Sequence, residues 1–231
     1  MDVCTACCCP VEVERELREW PLARLTARHF YQYNDSAKSE VQPAAELRHL
    51  LPRLLELIAS GEDIHHSTEL YLDRLGRCPE GTWSADERAA LDRFASAFFD
   101  ALLRVGTPGR GLRVWMDTPL SVLLMFDIGG IDIGPLLDLW LRCDDPGSTV
   151  QFVESTYWDF WQGCEIRNPF AADRPAFRAR VRGWLLEPAN RARFVEKMLA
   201  PAFLERAREQ PARGRIAFAT MVEAVFDQLT A

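Results

Sequence analysis

The chain has 231 residues, 48% of them hydrophobic and 26% charged, with a formal charge of −7 and a pI near 5.2. That balance supplies ample core and argues against a general nucleic-acid binder, which needs a basic surface to displace counterions. No run of about 18 uninterrupted apolar residues is available to span a membrane, so no membrane role is expected.

Residues 1–10, MDVCTACCCP, form a cysteine-dense leader, and residues 11–231 are expected to form a single helical domain. The leader lacks the basic start and apolar run of a signal peptide. Seven cysteines without such a signal point to a reducing, cytoplasmic setting with free thiols or metal ligands. VEVERELREW reads as a first short helix, and Thr26 as the cap of a second through ARHFYQY. The polar run NDSAKSEVQ is a loop.

Residues 43–76 carry the cleanest helical pattern. Leu47, Leu50, Leu51, Leu54, Leu55 and Ile58 recur at three- and four-residue steps, the spacing of one helical face. Pro52 predicts a kink or two abutting helices. Gly61 reads as a left-handed stop, and Ser67 as the N-cap of a following helix that Gly76 ends. Ser84 followed by Glu87 fits a capping box opening a helix over 84–106, with Leu91, Phe94, Ala95, Phe98 and Leu102 on one face. Gly106 is its expected stop, and TPGRG a flexible connection.

Residues 112–142 are the most apolar stretch. Within it VLLMF suits a buried strand or a buried helix, and Thr118-Pro119 favours a helix start. Gly134-Pro135 opens another helix, DDPGS reads as a turn, and TVQFVESTYWDFWQG as a helix. Asp173 is the expected cap of the next helix, and Pro188 and Pro201 begin or divide those that follow. A last helix from Arg215 would place Ile216, Ala219, Val222, Val225, Phe226 and Leu229 in phase. The count of capped amphipathic segments predicts an all-α fold of roughly eight to eleven antiparallel helices.

CTACCCP, PLARLTARHFYQYN, LRHLLPRLLELIA and WLLEPANRARF together resemble a group of bacterial proteins that share the cysteine cluster and the LPRLLEL core. The resemblance implies an intracellular, mostly helical protein and carries no activity with it.

Four constellations could bear chemistry. Cys4 and Cys7 have the C-x-x-C spacing with which two thiolates grip one metal, and Cys8 and Cys9 follow at once. Zinc wants four ligands, so Cys8, Cys9, Cys78 or the histidine pair would have to complete the site. His65, His66 and Glu69 could bind a metal or act as acid and base, although adjacent histidines diverge by about 100 degrees on a helix. Gly129-Gly130 with Asp127 and Asp132 reads as a sharp turn, with a ligand or a hard cation as the alternative. Tyr157, Trp158, Asp159, Trp161 and Glu165 could form a partner-binding patch in which one or two of the aromatic rings are exposed. No serine nucleophile motif is present. The expected function is a non-enzymatic interaction protein, such as an acidic immunity or adaptor protein that binds a basic partner. The alternative is a zinc-binding protein or metal-dependent hydrolase.

Overall fold

The computed structural model describes residues 1–104, 117–212 and 215–231. The expected stop at Gly106 and the connection TPGRG lie outside them. Among the described residues the fold is all-α, without a strand element, and no helix is long and apolar enough to cross a membrane. Twelve α-helices follow in order: α1 (Val11–Glu19), α2 (Ala27–Asp35), α3 (Ala44–Ala59), α4 (Asp73–Gly76), α5 (Ala85–Leu103), α6 (Pro119–Ile128), α7 (Gly134–Arg142), α8 (Pro146–Thr156), α9 (Pro175–Leu186), α10 (Pro188–Leu199), α11 (Pro201–Arg208) and α12 (Phe218–Thr230). They divide into two compact units, one of residues 1–95 and 125–132, the other of 96–124 and 133–231.

In the first unit, α3 runs unbroken through Pro52 and does not split in two. It buries Leu47, Leu50, Leu51, Leu54, Leu57 and Ile58, so Leu57 takes a core place that the expected face gave to Leu55. Its end is a Schellman motif: Gly61, at φ 72°, donates to the Ile58 carbonyl and Glu62 to that of Leu57. Ser67 does not cap a long helix. It precedes a single 3₁₀ turn over Thr68–Leu70, and α4 is one further turn. The Ser84–Glu87 capping box is formed, with reciprocal bonds of 2.8 and 3.2 Å. In the second helix Thr26 is joined by His29, whose Nδ1 accepts from the Thr26 amide at 3.1 Å.

VLLMF is helical. Val122, Leu123, Leu124, Met125 and Phe126 are all fully buried, which explains why no one-sided pattern marks the segment. The Thr118 hydroxyl accepts from the Ser121 amide at 3.2 Å and opens α6. Gly129-Gly130 closes it as a second Schellman motif: Gly130 (φ 77°) donates to Asp127 and Ile131 to Phe126. This turn lies against the end of α4 so closely that a Cβ on Gly76 would fall 1.8 Å from the Ile128 carbonyl oxygen.

The leader is bound into the first unit. The Arg74 side chain, 1% exposed, donates to the Asp2 carbonyl at 2.9 Å, to Gln42 Oε1 at 2.6 Å and to the Tyr33 carbonyl. Its guanidinium lies 4.0 Å from the centre of the Tyr33 ring. The Asp2 carboxylate accepts from the Ser39 amide and hydroxyl, and Glu46 accepts from the Asp2 amide and the Tyr33 hydroxyl.

The second unit is built on an aromatic stack. Trp140, fully buried, meets Phe99, Phe152, Trp184 and Phe194 with ring centres 5.7–6.4 Å apart. The DDPGS segment is not a turn, because Asp145 accepts from the Gly147 amide and Pro146 begins α8. The N-cap position of α9 is Arg174, one residue later than the expected Asp173. In α12 the buried face is Phe218, Met221, Val225 and Leu229. Ala219 is exposed, and Ile216 precedes the helix.

Gly76→Ala is expected to destabilise the protein by about 3 kcal/mol or more, because the added carbon meets backbone that cannot swing aside. Gly183→Ala, where nothing lies within 4 Å of the new carbon, should instead stabilise α9 by about 0.5–1 kcal/mol. Urea denaturation of the two variants checks both signs.

Candidate functional site

Three of the leader cysteines converge. Cys4 Sγ lies 3.3 Å from Cys7 Sγ, and Cys7 Sγ lies 2.8 Å from Cys8 Sγ. All three sulfur atoms fall within 4.8 Å of one another. The local chain explains why. The amides of Cys8 and Cys9 both donate back to the Cys4 carbonyl, folding C-x-x-C-C into a tight turn. The Cys4 amide donates to Ser36 Oγ at 2.9 Å and to the Ala37 carbonyl at 3.1 Å, which fixes the turn to the end of α2.

Cys7 and Cys8 are exposed and Cys4 is half-buried. Hydrogen bonds from Cys7 and from the Ala6 and Cys7 backbone favour the Cys4 thiolate and lower its pKa. Cys7 sits between two sulfurs that both want its proton, and its thiol is pushed up to about 12. Cys9 is turned away: it is 2% exposed and its thiol approaches the Pro10 carbonyl at 3.7 Å. Cys78, expected as a possible fourth ligand, points to the Arg74 carbonyl at 3.7 Å. All seven cysteines are free thiols.

The histidine pair gathers a different carboxylate from the one its sequence suggests. His66 Nδ1 lies 3.0 Å and His65 Nε2 3.8 Å from Asp35 Oδ1 at the end of α2, and the two rings are 4.0 Å apart. Glu69 is buried and accepts from the Ser67 hydroxyl at 2.6 Å, so it does not join them. The Ser67 amide donates to His65 Nδ1 at 3.3 Å. That leaves the neutral ring's proton on Nε2, the atom facing Asp35, where a metal would have to displace it. Burial, then the charges of His66 and Lys38, lower the His65 pKa to about 4. The ring is therefore neutral near pH 7.

Asp127 and Asp132 join no metal-ligating group among the described residues. Asp132 instead lines a cleft of about 420 Å³ with Gly76, Cys78, Trp83, Arg88 and Gly130. Tyr157–Trp161 forms a π turn at the end of α8. Trp158 is 44% exposed with Tyr157 edge-on at 5.0 Å, and Glu165 is exposed. Trp161 is only 8% exposed, so it belongs to the core of the second unit. Asp159 accepts from Thr118 Oγ1 at 3.4 Å. The residues missed by pattern alone are Asp35, Arg74 and Gln42, whose partners lie roughly 30 to 70 positions away. Protein-family models, curated proteins and solved structures give no match to the chain.

The depressed His65 pKa has a stability consequence. The unfolded chain takes up this proton below about 6.5, while the folded ring resists it to about 4. Stability from this residue is therefore full above pH 6.5 and falls as the pH drops towards 4, by on the order of 3 kcal/mol in all. Urea denaturation at pH 7, 6, 5 and 4 should show the His65→Gln variant losing less over this range than the unaltered protein.

Proposed function

We propose that the protein binds a thiophilic metal ion through Cys4, Cys7 and Cys8. The observation that carries this reading is the convergence of three free sulfurs within 4.8 Å on a turn anchored to α2. Thiolates select soft and borderline ions, and a turn already held by backbone bonds lowers the ordering cost of binding. Zn²⁺ on these three ligands would keep a fourth position for water or a partner's ligand. The histidine pair is the weaker candidate, because hydrogen bonds already engage the Nδ1 atoms of both rings, that of His65 from the Ser67 amide and that of His66 with Asp35.

The reduced protein, titrated anaerobically with Zn²⁺ against a chromophoric chelator, should retain about one ion per chain. Replacing Cys4, Cys7 and Cys8 together by Ser should abolish retention, while Cys9→Ser and His65→Ala leave it intact. Retention by the triple variant would refute the assignment.

A second reading, a non-enzymatic protein that engages a basic partner, is favoured by the exposed indole of Trp158 on the π turn and by the net charge of −7. Under this reading one basic protein is captured from host lysate at low salt and released at high salt. Trp158→Ala would reduce its capture at least about tenfold, or ~1.4 kcal/mol. Undiminished capture by Trp158→Ala would place the contact elsewhere.

A further inference from the structure

Resting on the thiolate reading above, we propose that the Cys4–Cys7–Cys8 turn is a three-coordinate site for Cu(I), presented at the surface for exchange of the ion.

The first ground is the ligand count. The group holds three sulfurs and no histidine, aspartate or glutamate among the described residues. The other side chains of the leader and its surroundings have separate duties. Cys9 is buried with its thiol near Pro10, and the Asp2 carboxylate is occupied by Ser39 and Gln42. Glu46 takes the Asp2 amide, the Tyr33 hydroxyl and the α-amino group. His65 and His66 belong to a second group with Asp35. Three thiolates are a complete shell for Cu(I), a soft monovalent ion that needs few donors, whereas the divalent Zn²⁺ seeks a fourth donor.

The second ground is exposure. Cu(I) with three thiolates carries a net charge of −2, which is costly to bury without cations and is readily hydrated at a surface. Cys7 and Cys8 lie at such a surface. An ion held there can pass to an incoming thiolate by stepwise ligand substitution, with no change of oxidation state. Binding converts three thiols and Cu(I) into the tris-thiolate and three protons, so affinity rises with pH.

The test uses the full reduced chain, anaerobically loaded with Cu(I) as its acetonitrile complex, and in parallel with Zn²⁺. Expected results are one Cu(I) per chain in competition with bathocuproine disulfonate and three sulfur neighbours by copper X-ray absorption. Each of Cys4→Ser, Cys7→Ser and Cys8→Ser should weaken binding at least about tenfold, or ~1.4 kcal/mol. Cys78→Ser should leave it unchanged. A copper shell of two sulfurs, full affinity in any one of the three single variants, or Zn²⁺ retained against equimolar Cu(I) overturns the Cu(I) assignment while leaving a thiolate metal site. Retention of neither ion overturns both readings.

Discussion

One buried guanidinium organises the first unit. Arg74 is 1% exposed, and a cation so placed is tolerable only when acceptors replace the water it has lost. Its acceptors come from three separate stretches: the Asp2 carbonyl in the leader, the Tyr33 carbonyl in α2, and Gln42 before α3. The Tyr33 ring covers one face of the cation, and the Asp2 carboxylate stands 3.7 Å away. Removing any acceptor would leave part of a charge stranded, so the four segments hold their arrangement together. Ten residues of leader contain too little apolar surface to anchor themselves by burial, and this polar network anchors them instead.

The thiol cluster inherits its order from that network. Asp2 is fixed by Arg74, Ser39 and Gln42, and Cys4 is fixed two residues later by Ser36 and Ala37. Between these anchors and Pro10 the Cys8 and Cys9 amides close a tight turn on the Cys4 carbonyl, and that turn brings the sulfurs together. The same end of α2 supplies Asp35 to the histidine pair. Two sets of metal-competent side chains thus flank one helix terminus with opposite character. Two of the three thiols, Cys7 and Cys8, are exposed and the cluster carries few competing bonds, while the imidazoles are already engaged by hydrogen bonds and, for His65, burial.

The second unit meets the same problem of buried charge in another way. Lys197, one of only two lysines, is 6% exposed and donates to the Trp140 and Cys143 carbonyls at 3.0 and 2.7 Å. These carbonyls end α7, where the helix dipole is negative and backbone acceptors are unsatisfied. The Phe194 ring lies 4.9 Å from the ammonium. Burial, together with the neighbouring Arg193 charge, lowers the lysine pKa to about 8, yet it stays mostly protonated at neutral pH. Aromatic packing and helix capping therefore meet at one residue.

By itself the sequence determined the helical class, most helix starts and the stops at Gly61 and Gly130, because caps, prolines and left-handed glycines act over three or four residues. Hydrophobic spacing likewise revealed the inner face of α3 but not that of α12, whose apolar residues allow two phases, and packing selected Phe218 and Met221. The C-x-x-C-C spacing named the cysteines. Only the tertiary structure decided that Cys8 joins Cys4 and Cys7 while Cys9 turns inward, and that Asp35, not Glu69, meets the histidines. It alone placed Arg74 at the centre of the first unit. Those outcomes depend on partners up to 72 positions apart, and contacts at that range are set by how helices pack, which no local pattern encodes.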